Sequence, residues 1–371
     1  MSLVKLVLWV MAIFMLVGAA DRVLGNRFGY GREFENGFHA MGPLGLVMVG
    51  IYCGAPVLAQ GLSLVTSSLM ESIGADPSIV GSILISVDSG GYPLAQQMAA
   101  SEEMANFSSI IVGSTMPLVF TFNIPVGMIF VKPEDEDLFA LGTMAGLISV
   151  PVACFLGGVL MGLPLGVILA NLAPILLVAL LVCIGLKVAP AAMRKGFKVF
   201  SWLMVLVIMV FLAAVALEQL TGVVVIPGLA APDEVYIAIG KIAIVLSGAY
   251  PFLLFLRRHL NRPLAWAGRR IGVNEVTMAG LLASCANGIA MVQMYQDMDP
   301  RGKVYSFAFA SCAGFVIGDH LAFVASVQPD MVTPMLLCKL AGGVAGIVIA
   351  WVLYRPDGER NGLPQAEEAV V

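Results

Sequence analysis

The sequence predicts an all-α polytopic membrane protein: two inverted repeats, about nine spanning helices plus two re-entrant helical hairpins. Three observations lead there. Hydrophobic residues fill 59% of the 371 positions and charged residues only 12%, about half the roughly 25% of a soluble domain. Apolar stretches long enough to cross a bilayer recur along the chain, interrupted by two segments whose apolar runs are too short to cross. The chain also matches itself at a constant offset of 198 residues. This composition excludes a disordered chain, an ordinary soluble enzyme and a nucleic-acid binder. The net charge is −4, and no basic block is available to meet phosphates. The partners it implies are membrane lipids.

A spanning helix needs about 20 apolar residues. Residues 3–21, 41–62, 106–131, 138–160, 163–186, 198–217, 236–256, 303–327 and 332–354 meet that requirement. The first is read as a span in preference to a signal peptide, although Gly18-Ala19-Ala20 would suit a peptidase. Two segments differ. Within 74–104 the apolar run from Ser78 to Val87 ends at Asp88-Ser89-Gly90-Gly91-Tyr92-Pro93, and a half-polar stretch with Gln96 and Gln97 follows. Residues 272–298 repeat the plan: Val276 to Cys285, then Ala286-Asn287-Gly288, then Gln293, Gln296 and Asp297.

These segments correspond at the 198-residue offset, as do Gly42/Gly240, Gly50/Gly248, Tyr52/Tyr250, Gly74/Gly272, Ser86/Ser284, Gly90/Gly288 and Ser108/Ser306. The organisation read from this is a first repeat over 1–160 with its hairpin at 74–104, and a linking helix and basic cytoplasmic loop over 161–197. A second repeat follows over 198–354 with its hairpin at 272–298, then a disordered cytoplasmic tail over 355–371.

Basic residues decide between hairpins and crossings, because cytoplasmic loops collect Lys and Arg. If all eleven segments cross as plain helices, the alternative fold, Arg22, Arg27 and Arg32 face away from the Arg257–Arg270 cluster. If the two odd segments enter and leave on one side, 17 of the 20 basic residues share that side. Only Lys5 lies opposite, with Lys241 and Lys339 inside spans. Five crossings then separate the repeats, which makes them inverted.

Asp88 and Asp319 are the carboxylates placed inside apolar segments. A charge at mid-bilayer costs about 2.5–3.5 kcal/mol on insertion scales, so such residues usually face a polar cavity. Asp88 is at the first hairpin tip, and Asp319 lies within Gly318-Asp319-His320. Pro125 and Gly318 are expected to unwind their helices at mid-depth. The substrate-binding set is read as Asp88, Ser89, Tyr92, Phe122, Asn123, Asn287, Asp319 and His320. The aspartates would balance a cation, Ser89, Asn123 and Asn287 would bond a hydroxyl, and Tyr92 or Phe122 would offer a ring face to an ammonium. For His320 a structural role stands beside a proton relay. The competing reading pairs the aspartates with Lys241 or Lys339, or lets those lysines snorkel. Six scattered cysteines and three distant histidines suggest neither a metal nor a disulfide frame. No cofactor is expected. Asp319-His320 is the nearest approach to a catalytic set, and neighbours on a helix face different ways.

Several stretches carry a family likeness: Asp21-Arg22, Gly37-Phe38-His39-Ala40-Met41-Gly42, Gly74-Ala75-Asp76-Pro77-Ser78, Asp88-Ser89-Gly90-Gly91, Met298-Asp299-Pro300-Arg301-Gly302-Lys303 and Gly318-Asp319-His320-Leu321. In these the chain resembles the EutH family, ethanolamine permeases of bacterial ethanolamine-utilisation operons, over about residues 5–354. The resemblance implies a non-enzymatic facilitator or secondary transporter that carries ethanolamine across the inner membrane. The alternative is a cation-coupled transporter or channel for another small amine. The resemblance supplies no list of binding residues, so the site above rests on the chemistry of the side chains. A homo-oligomer is compatible with the sequence but not required by it.

Overall fold

A computed structural model describes residues 3–354. The expected disordered tail, 355–371, lies outside the described residues. The described chain is helical throughout, without strands. Helix α1 (Leu3–Val23) turns back through a loop held by Asp21, whose carboxylate accepts the N–H groups of Phe28 (3.0 Å) and Gly31 (2.9 Å). Helix α2 (Tyr30–His39) follows, absent from the sequence reading, and runs on through Ala40 into α3 (Met41–Ser72). The expected span at 41–62 is thereby extended at both ends. Ser67, Ser68 and Glu71 obscure the C-terminal extension in the sequence, but helix formation tolerates them.

The first odd segment is a helical hairpin. It comprises α4 (Ser78–Leu84), a one-turn tip at Val87–Ser89, and α5 (Gly91–Met98) packed against α4. The segment predicted at 106–131 is a broken rod: α6 (Glu102–Asn106), wide turns over 107–112, an interruption at 113–115, α7 (Met116–Leu118), wide turns over 119–123, and α8 (Ile124–Phe130). The break falls at Pro117, not Pro125 as expected. Pro117 cannot donate the N–H that the Gly113 carbonyl would take in a regular helix, and that carbonyl accepts from Val87 at the hairpin tip instead, at 2.9 Å. Pro125 sits where the wide turns over 119–123 run into α8, so the backbone there is widened and not interrupted.

Helices α9 (Glu136–Leu160), α10 (Leu165–Val188), α11 (Pro190–Thr221) and α12 (Asp233–His259) match their predicted apolar runs, and α13 (Asn261–Ile271) is a short basic addition. The second odd segment is again a hairpin, α14 (Glu275–Ser284) packed on α15 (Gly288–Gln293). The segment predicted at 303–327 splits into α16 (Pro300–Ala313) and α17 (Asp319–Val327), and α18 (Val332–Leu353) closes the described chain. Among the described residues, eight helical segments are long and apolar enough to cross a membrane. The ninth expected span misses that count because its two halves are separated at 314–318.

Two groups of helices enclose the hairpins. Helices α1, α2, α3, α11 and α12 pack together on one side, and α9, α10, α16 and α18 on the other. The hairpins are rooted at opposite ends of this assembly. At the base of the first, Asp76 accepts from Ser78 N (2.9 Å) and Ala100 N (3.0 Å), while its own N–H donates to Asn171 near the start of α10 (2.7 Å). At the base of the second, Asn274 caps α14 through Thr277 N (2.9 Å), and Thr277 donates to Asp299 beside the start of α16 (2.9 Å). That second end also holds the pairs Lys303–Asp135 (2.7 Å) and Arg194–Glu136 (2.5 Å), so the start of α9 lies there and its other end joins α10. Asp76 and Asn274 stand 198 residues apart, as do the first residues of α6 and α16 and the last residues of α1 and α11.

Candidate functional site

The two hairpin tips meet the two broken helices in the middle of the molecule. At the first tip, the Ser86 carbonyl accepts from Ser89 N (3.0 Å) and Gly91 N (2.9 Å). The chain can turn this tightly because Gly90 has φ +97°, a left-handed conformation costly for other residues. A Cβ there would also overlap Ile51. The turn presents Asp88, whose Oδ1 accepts from Ser86 Oγ at 2.7 Å and Ser89 Oγ at 3.3 Å.

At the second tip, the carbonyls of Ser284 and Cys285 accept from Phe315 N (2.9 Å) and Ile317 N (2.8 Å) of the interrupted stretch 314–318. Phe315 itself holds φ +59°, a strained value for a side-chain-bearing residue. Gly318 approaches the Ala286 backbone so closely that a Cβ would not fit. Asn287 caps α15 by accepting from Ile289 N at 2.8 Å. Asp319 opens α17, where the N-terminal dipole favours a carboxylate, and Tyr250 OH reaches its Oδ1 at 3.4 Å.

A cavity of about 590 Å³ lies where these parts converge. Asp88, Ser89, Asn287 and Asp319, four of the eight sequence-read residues, line it together with Tyr250. Glu33, Asn36 and Arg257, from α2 and the C-terminal end of α12, border it as well. The other four stand behind it. His320 is buried, its Nε2 lying 3.3 Å from Ser86 Oγ and 3.7 Å from Asp88 Oδ1. Asn123 is buried and donates to Ser311 Oγ at 3.2 Å, tying the two broken helices together. Phe122 stands edge-on to Phe315, with centroids 4.9 Å apart, and Tyr92 packs edge-on against Phe323 at 5.6 Å. Neither lysine is bonded to an aspartate among the described contacts. Lys241 is exposed, as a snorkelling residue would be, whereas Lys339 is wholly buried and donates to the Ser114 carbonyl.

Sequence reasoning did not place Tyr250, Glu33, Asn36 or Arg257 in the site. For Tyr250 the signal was present: it repeats Tyr52 at the offset and lies in an apolar run, where a hydroxyl needs a partner. The three others sit at the edges of apolar runs, where polar residues are ordinary.

In chemical terms the cavity offers three carboxylates (Asp88, Asp319 and Glu33), the hydroxyls of Ser89 and Tyr250, the amides of Asn287 and Asn36, the Arg257 guanidinium and one aromatic ring. That set suits a small organic cation with a hydrogen-bonding group. No three metal-ligating side chains cluster among the described residues. No solved structure matches the chain. A protein of Listeria monocytogenes named "Probable ethanolamine permease EutH" is 43% identical over 349 residues, covering 94% of each chain. One of Salmonella typhimurium with the same name is 38% identical over 99% of each chain. "Uncharacterized protein YxeR" of Bacillus subtilis is 40% identical over 347 residues, covering 93% of this chain and 94% of that one. The profile of the family described as "Ethanolamine utilisation protein, EutH" matches residues 3–353, and with that coverage the chain belongs to the EutH family.

Proposed function

We propose that this protein carries ethanolamine into the cell across the bacterial inner membrane, as a facilitator or secondary transporter. The observation that carries the reading is the convergence of Asp88 and Asp319, from separate hairpin and helix breaks, on one cavity. Ethanolamine at neutral pH is a small ammonium with a hydroxyl. Asp88 and Asp319 balance its charge, Tyr250 supplies a ring face, and Ser89 and Asn287 hydrogen-bond its hydroxyl. His320 acts behind the cavity, orienting Asp88 through Ser86. Relatives named ethanolamine permeases across nearly the full length support the substrate.

The architecture is read as two inverted repeats, 1–160 and 198–354, each with a re-entrant hairpin, joined by 161–197. Hairpins rooted at opposite ends and element boundaries recurring at the 198-residue offset support this reading. Broken helices around a central site are the usual plan of secondary transporters. The cavity is bordered by Arg257 and the start of α2, on the side rich in basic residues, so this conformation is read as open to the cytoplasm. Alternating exposure would move the two tips relative to α2, α3 and α12.

Uptake of radiolabelled ethanolamine into proteoliposomes tests the proposal. Wild-type protein should give saturable uptake, competed by unlabelled ethanolamine. Asp88→Asn and Asp319→Asn should each lower it by at least tenfold with the protein still folded. Full activity in both variants would sink the site while leaving the transporter standing. Non-saturable flux would point to a channel.

A further inference from the structure

Beyond the cavity, on the side away from Arg257, stands a hydrogen bond that substrate binding does not use. Helix α3 lines the cavity through Leu44 and Val47. About one turn further on, Ile51 lies against Gly90 at the first hairpin tip, and Tyr52 OH donates to Glu234 Oε2 at 2.7 Å. The carbonyl of the next residue, Cys53, accepts from Ala230 N at 2.8 Å, which holds the connection between α11 and α12 against α3. Tyr52 is partly buried, whereas Glu234, in the first turn of α12, is exposed. A carboxylate partner for a phenol in an apolar run is ordinary. The place of this pair in the repeat is not.

Helices α2 and α3 run antiparallel to α12: Gly37 meets Ser247, Gly45 faces Ile239 and Tyr52 reaches Glu234. At the 198-residue offset Tyr52 corresponds to Tyr250, and Glu234 to Asn36. The bonded pair Tyr52–Glu234 therefore has a counterpart, Tyr250 and Asn36, towards the other end of the same helix pair. Among the described contacts that counterpart is unmade. Both of its members line the cavity. Tyr250 OH reaches Asp319 Oδ1 instead, at 3.4 Å, and Asn36 Nδ2 donates to Glu33 Oε2 at 3.2 Å. Asn36 Oδ1 can accept a further bond while Nδ2 keeps Glu33. One pair is thus made where packed side chains bound the cavity, and its counterpart is parted where the cavity lies.

We infer that Tyr52–Glu234 is the latch of the outer path and Tyr250–Asn36 its inner counterpart, the two being made in alternation. This rests on the transporter reading and its inverted repeats. Opening the outer path parts Tyr52 from Glu234, and closing the inner path carries the Tyr250 hydroxyl from Asp319 to Asn36. Tyr52 and Glu234 do not line the cavity, so they are positioning residues that act through the two conformations. A bond made in only one conformation shifts the population towards it.

Thiol accessibility of the full-length protein in right-side-out and inside-out membrane vesicles tests the inference. The reporter is Ser89→Cys in a cysteine-free background, read as the ratio of the outside to the cytoplasmic reaction rate with an impermeant reagent. Tyr52→Phe and Glu234→Ala should each raise that ratio about fivefold, the equivalent of one hydrogen bond. Together they should raise it no further, because both remove the same bond. Glu234→Gln keeps an acceptor and should stay within about twofold of the parent. Asn36→Ala removes the inner counterpart and should lower the ratio about fivefold. A purely structural pair would change thermal stability in detergent and leave the ratio alone. An unchanged ratio in Tyr52→Phe and Glu234→Ala overturns the inference. So do effects that multiply in the double variant, or an Asn36→Ala ratio that does not fall. If Tyr52→Phe does not fold, Glu234→Ala, at an exposed position, still decides. Folded wild-type protein with no saturable ethanolamine uptake refutes the transporter reading and this inference together. Saturable uptake with unmoved ratios refutes this inference alone.

Discussion

Tyr250 shows what one side chain contributes at this site. Its hydroxyl is 3.4 Å from Asp319 Oδ1, long for a charge-assisted bond, so it steers the carboxylate more than it stabilises it. Its ring meanwhile forms part of the cavity wall. Tyr250→Phe keeps the ring and removes the steering. A hydrogen bond of this kind is worth about 1 kcal/mol, so KM for ethanolamine should rise about fivefold while kcat stays within twofold. An unchanged KM would show that Asp319 needs no help from Tyr250. Asp88 illustrates the other extreme. It accepts from two serines and neighbours His320, and its acidity within an apolar run made it conspicuous in the sequence. Tyr92 and Phe122 are counterexamples. Both were attractive rings beside the tips, but each is committed to another ring behind the cavity, and nothing in a linear sequence says which way a ring turns.

At the level of elements, the hairpins depend on their turns and their clasps. Gly90 combines a left-handed φ of +97° with contact to Ile51, whereas Gly74 has φ +70° with only Ala170 nearby, at 3.8 Å from a built Cβ. Gly90→Ala should therefore cost about 2–4 kcal/mol, conformational strain plus overpacking. Gly74→Ala should cost about 1–2 kcal/mol, strain alone. Thermal unfolding in detergent checks this, and equal losses would contradict the overlap at Ile51. The clasps explain motifs that carry no transport chemistry. Asp76 in Gly74-Ala75-Asp76-Pro77-Ser78 ties the first hairpin base to Asn171, and Asp299 in Asp299-Pro300-Arg301 ties the second to Thr277. Asp21 likewise holds the turn between α1 and α2. The hairpins themselves were legible, because an apolar run half a bilayer long that ends in Asp-Ser-Gly-Gly is not a spanning helix. The break at Pro117 was not. Its cause lies in a carbonyl that finds a partner 26 residues earlier, at Val87, and proline alone does not reveal that.

At the scale of the molecule, the site is formed by relative placement. The cavity is bordered by Glu33, Asn36 and Arg257, while the first hairpin packs against α3 with Ile51, Ala55, Ile85 and Leu94 buried between them. On the proposed reading, one path to the tips is open and the other closed. Cysteines placed at Ser89 and Asn287 in a cysteine-free background should react with a membrane-impermeant thiol reagent from the cytoplasmic side. Reaction should be at least tenfold slower from the outside, and ethanolamine should protect both. Equal reaction from both sides would contradict a closed outer path, and no reaction from either would contradict the cavity.

The sequence by itself determined the class of protein, the positions of the membrane-crossing runs and hairpins, and two displaced aspartates. It could do so because apolar composition and the cost of a buried charge act locally, residue by residue. The tertiary structure alone decided that Asp88 and Asp319 share one cavity, that Tyr250 joins them, and that Lys339 faces an open carbonyl rather than an end of its helix. Those outcomes depend on which helices pack together and where a carbonyl loses its regular partner. No window of sequence contains that information.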